Sequence, residues 1–191
     1  MGKIEKIGHL LLWGFQGFLI FLLIFQSSFA LPVAGIGHLH PLILHLPIGF
    51  GVLLLGLFAI KKQLASFEVL AEFLLLITAL FSTLTAIFGL FLAKEGGYET
   101  SALDWHQWSG VAVSFVYFSW VLLRRNLLVG ASLGFVAFVF AGHTGASITH
   151  GEDYLRFGSK TTEITTSSVV FEDIVQPILK AKCESCHNDQ K

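Results

Sequence analysis

The residues best placed for chemistry lie at the end of the chain. Cys183-Glu184-Ser185-Cys186-His187 reads C-x-x-C-H, the attachment sequence for c-type haem. Two thiols at this spacing add across the two vinyl groups of one porphyrin, and the adjacent imidazole reaches the iron from one face. Cys183 and Cys186 are the only cysteines in 191 residues. A thiol redox pair would use the same two residues. A structural zinc would need two further ligands, and no second C-x-x-C exists. The motif therefore favours haem c, held covalently by Cys183 and Cys186 with His187 on the iron. The only methionine is Met1, and no residue of the chain is marked as the second axial ligand.

Histidines form the second group. Eight are present: His9, His38, His40, His45, His106, His143, His150 and His187. Neutral imidazole ligates haem iron and other metals well. Ionisable side chains at membrane depth are costly and point to function by default. His40, His45, His106, His143 and His150 are candidates for a second site, a b-type haem or a metal held between helices. His38 lies in a Gly-rich loop and is the most dispensable. A quinol or proton-relay site drawing on Glu95, Glu99, Asp104 and Glu152 is a further reading. A purely structural polar layer, in which each imidazole bonds a neighbouring carbonyl, is the plainest one.

These residues must be positioned by elements that cross a membrane. The chain is 54% hydrophobic and 13% charged, with mean hydropathy +0.73. That is too apolar for a soluble domain of this size, and a net charge of −1 gives no footing for nucleic acid. Residues 1–30 carry Lys3 and Lys6, then an apolar run, then small residues up to Ala30. They suit either a cleaved signal peptide or an anchor helix. Four further spans are expected within residues 31–154. One runs from His40-Pro41 to Ile60, kinked at Pro47, whose missing N–H cannot bond back to Ile43. Another covers Val69 to Leu92, with Ser66 as N-cap and Glu68 in its first turn. A loop with the turn signal Gly96-Gly97 leads to a span opening at Ser101-Ala102-Leu103-Asp104, a capping-box pattern, and ending at Leu123. The last covers Leu127 to about Ala146, where Gly130 and Gly134 would let a neighbouring backbone approach.

Charge orients the spans. Lys3/Lys6, Lys61/Lys62 and Arg124/Arg125 fall in alternate connections, which should all be cytoplasmic. Every histidine except His9 then lies toward the outer side, as does the C-x-x-C-H motif. Trp105, Trp108, Tyr98 and Tyr154 fall at the same outer boundary, as an aromatic belt would. Residues 155–170 read as a Ser/Thr-rich linker. Phe171, Ile174, Val175, Ile178 and Leu179 then recur at helical spacing and lead into Cys183. Residues 171–191 thus read as the truncated start of a cytochrome c domain. The expected fold class is all-α: a polytopic membrane helix bundle followed by that start.

Several segments resemble a known family. They are His40-Pro41-Leu42-Ile43-Leu44-His45-Leu46-Pro47, Gly96-Gly97-Tyr98, Asp104 to Gly110, His143 to Gly151, and Phe171 to His187. Together they are similar to bacterial membrane-anchored c-type cytochromes of the planctomycete cytochrome C type. In these, a small helical membrane domain of uncharacterised function precedes the haem domain. The resemblance covers roughly residues 36 to 188. It implies a redox protein of the inner membrane that faces the periplasm, with lipid and other respiratory proteins as partners. The expected function is electron carriage on the periplasmic face. Two alternatives stand beside it: a quinol-oxidising subunit with haem b in the bundle, and a non-catalytic anchor or sensor for a larger haem protein.

Overall fold

The computed structural model describes residues 2–25, 35–95, 101–123, 126–150, 155 and 169–184. Every regular element among them is helical. Helix α1 covers Lys3–Ile24, α2 His40–Ile43, α3 His45–Ala59, α4 Phe67–Lys94, α5 Ser101–Leu123, α6 Leu127–His150 and α7 Gln176–Lys182. A 3₁₀ turn, Ile36–Leu39, precedes α2.

Among the described residues, four helices are long and apolar enough to cross a membrane: α1, the Ile36–Ala59 unit, α4 and α6. Helix α5, expected as a span, is not among these four. It has the length, at 23 residues, but Asp104, His106, Gln107, Ser109 and Ser114 dilute its apolar content. It packs against α4 on one side and α6 on the other, and its Ser109 and Ser114 are buried against protein.

Packing runs α3 to α4, α4 to α5, α5 to α6 and α6 back to α3. This closes a ring in which α3 stands across from α5, and α4 across from α6. Helix α1 packs against α4. With 56% of its apolar window buried, against 22–28% in the other three spans, α4 is the central element.

Local breaks follow from the sequence. Proline 47 leaves the Ile43 carbonyl without its helical partner, and the helix is interrupted beside it, at Leu44 between α2 and α3. Ser66 holds the N-cap position of α4, but its side chain makes no capping bond. Helix α6 runs beyond the expected Ala146 as far as His150. Gly130 and Gly134 of α6 make room for aromatic rings rather than for a backbone. A Cβ at either would overlap the Trp120 indole or the Tyr117 phenol of α5.

A polar layer ties α1 to the ring. Gln16 Oε1 accepts from Thr83 Oγ1 and from Ser114 Oγ, both at 3.0 Å. All three side chains are buried. Leu12, Leu19 and Leu22 flank Gln16 along α1 and are buried as well. The C-terminal segment is short: a π-helical turn, Val170–Val175, followed by α7. Its apolar residues Phe171, Ile178 and Leu179 are exposed.

Candidate functional site: a pair of imidazoles in the bundle

The chain enters the bundle through a tightly held turn. Gly35 adopts φ +89°, in the left-handed region that glycine tolerates. Its N–H donates to Glu95 Oε1 at 3.1 Å. His38 Nε2 meets Glu95 Oε2 at 2.9 Å. Gly37 lies on the backbone of α4, where any Cβ would overlap Leu92. Glu95 thus clamps the 3₁₀ turn to the end of α4, and the next residue of the chain after that turn is His40.

His40 opens α2 with Pro41 behind it in the first turn, where a missing N–H costs nothing. Its Nδ1–H donates to the carbonyl of Thr85 on α4 at 2.9 Å. His106 lies in the second turn of α5, and its Nδ1–H donates to the carbonyl of Ala141 on α6 at 2.9 Å. A carbonyl can only accept, so Nδ1 carries the proton in both rings. In the neutral form each ring keeps its lone pair on Nε2. This is the arrangement by which outer partners orient metal-ligating histidines.

The rings themselves meet. Their centroids are 5.9 Å apart and their planes cross at 86°. Each lies against a glycine. A Cβ on Gly89 of α4 would come within 3.0 Å of His40 Cε1, and one on Gly145 of α6 within 2.8 Å of His106 Cε1. Two diagonal helices therefore supply the imidazoles, and the other two supply a carbonyl and a glycine each. Beside the pair, Ser109 Oγ and Thr144 Oγ1 lie 3.4 Å apart, and Thr144 also donates to the Ala141 carbonyl.

Of the five candidate histidines, these two come together. His45 on α3 is exposed, as are His143 and His150 on α6. Asp104 is exposed in the first turn of α5, and Glu95 is engaged by the turn before α2. Glu99 and Glu152 lie outside the described residues, as do Gly96-Gly97, Tyr98, Tyr154 and Arg124/Arg125. Trp105 and Trp108 are exposed on α5. Cys183 is exposed at the C-terminal end of α7, and its N–H bonds to the Leu179 carbonyl. Cys186 and His187 lie outside the described residues, as does nearly all of the expected linker.

Sequence reasoning did not single out Gly89, Gly145, Gln16 or the role of Glu95. Gly89 lies in an apolar run with no motif around it. Gln16 offered the one available signal, an amide within an apolar stretch.

Fold and site together define a helical membrane protein with a histidine pair inside its bundle. The family described as "Predicted membrane protein (DUF2231)" matches residues 37–155, more than half of the chain, and the chain belongs to it. The match takes in α2 to α6 and ends before the C-x-x-C-H motif. The shared family is thus that of the membrane domain, and the cytochrome part of the resemblance lies outside the match. No curated protein and no solved structure matches the chain.

Proposed function

We propose that this protein carries single electrons at the outer face of a bacterial inner membrane. Cys183 and Cys186 would hold haem c and His187 would ligate its iron, with the C-terminus in the periplasm. The observation that carries this reading is the C-x-x-C-H sequence at Cys183 to His187. The His40–His106 pair stands beside it as a second group suited to iron, its His106 bonded to Ala141 of α6. The family match supports the membrane setting. The alternation of Lys3/Lys6, Lys61/Lys62 and Arg124/Arg125 supports the orientation. Lipid and other redox proteins are the partners this implies. Transfer is by electron alone, so the residues need only hold, orient and insulate the centres.

The test is covalent haem on the full chain, made in cells able to attach it. One haem per chain should stay with the polypeptide through denaturing electrophoresis, and Cys183→Ser with Cys186→Ser should remove it. Absence of covalent haem from the unaltered chain would sink the reading. A second reading, quinol oxidation at the bundle, draws on the His38–Glu95 pair as proton acceptor. Quinol-dependent reduction of the c haem in membranes would support it, and no reduction above that of a His38→Gln variant would count against it.

A further inference from the structure

The nearer member of the histidine pair, His106, lies 77 residues before Cys183 in sequence, and a covalent haem there does not explain it. Its geometry is specific. With a metal–imidazole bond of about 2 Å, two imidazoles on opposite sides of one metal place their ring centres roughly 6 Å apart. The observed separation is 5.9 Å. Both rings have the tautomer that leaves Nε2 for a metal, and both are fixed by carbonyls of helices other than their own.

The ligand count then selects the cofactor. Among the described residues, no group of three or more His, Cys, Asp or Glu could hold a metal ion. A bare zinc ion needs three or four protein ligands. Haem iron takes four nitrogens from its porphyrin and asks the protein for at most two. Placement of haem ligands on facing helices of a bundle is a recurrent solution. Here the two ligands come from opposite members of the ring, α2/α3 and α5.

We infer that His40 and His106 are the two axial ligands of a non-covalent, b-type haem inside the bundle. This deepens the redox reading above and rests on it for its purpose, but not for its chemistry. Gly89 and Gly145 are positioning residues, since each gives its neighbouring imidazole room. His45, His143 and His150 take no part in ligation.

The experiment uses the full chain purified in detergent from cells that attach haem c. Acidified acetone extracts non-covalent haem and leaves covalent haem on the polypeptide. The unaltered chain should yield one extractable haem. His40→Gln and His106→Gln should each abolish it while the covalent haem remains, which also reports that the chain reached the membrane. His45→Gln should keep it. His106→Met offers iron a thioether in place of a lost ligand, and should keep some haem at a higher potential. The oxidised protein should give the strongly anisotropic low-spin resonance of crossed imidazole planes. Extractable haem without covalent haem would support the pair and overturn the redox reading. Covalent haem without extractable haem would overturn the pair alone. Extractable haem surviving both Gln substitutions would overturn the ligand assignment.

Discussion

At the scale of single residues, the site depends on what stands behind each imidazole. A methyl group at Gly145 already crowds His106, at 2.8 Å from Cε1. Gly145→Val should therefore turn His106 away from the Ala141 carbonyl. Loss of such a support typically costs a metal site roughly 10- to 100-fold in affinity. Haem titration of the apoprotein checks this, and an unchanged affinity would mean that the ring does not depend on the glycine. The histidines were legible from residue type, because imidazoles at membrane depth need a reason. Their pairing was not. His40 and His106 are brought together by the order of helices around the ring, and sequence spacing across two loops does not encode that order. Nor could the exposed positions of His45 and His143 be told from His40, since all three occur in apolar helices.

The element scale concerns what joins the helices. Gln16 gives α1 a hydrogen-bonded link to α4 and α5 at Thr83 and Ser114. Bonds of this kind in membranes average about 0.6 kcal/mol. Gln16→Leu should lower stability by an amount on the order of 1 kcal/mol, because two hydroxyls lose an acceptor. Unfolding in mixed micelles measures it. The same link bears on whether residues 1–30 are a signal peptide or an anchor. A segment whose Leu12, Gln16, Leu19 and Leu22 are buried in the bundle is expected to be kept, and an N-terminal tag should remain on the mature protein. Its removal would show that the bundle forms without α1. On α6, Gly134→Leu should collide with Tyr117. Overpacking of this kind costs about 1–3 kcal/mol. Helix positions were largely readable from hydropathy, Pro47 and the Lys61/Lys62 stop. Helix α5 was harder to place, since polar residues such as Ser109 and Ser114 lower its hydropathy while being buried against protein.

For the whole molecule, the unresolved choice in the sequence was between an anchor and a working membrane domain. The bonds of His40 and His106 to the Thr85 and Ala141 carbonyls are those of a structural polar layer, and a working domain would add to them a metal at the two Nε2 atoms. Orientation can be checked by reporter fusion. Alkaline phosphatase joined after Lys62 should be inactive, and joined after His150 it should be active, since it folds only outside the cytoplasm. The reverse pattern would place the histidine pair and the C-x-x-C-H motif on the cytoplasmic side and remove the route to haem attachment. The link between bundle and motif was carried by sequence alone, because Cys186 and His187 lie outside the described residues.

The central claim, that this is a haem protein carrying electrons at the outer face, is tested most directly by one spectrum. It is the reduced-minus-oxidised difference spectrum of the purified full chain, with pyridine haemochrome analysis to separate haem types. Haem c and haem b are both expected, one of each per chain, with the b signal lost in His40→Gln and the c signal kept. A chain that carries no haem c, made alongside a control cytochrome that acquires it, would contradict the claim.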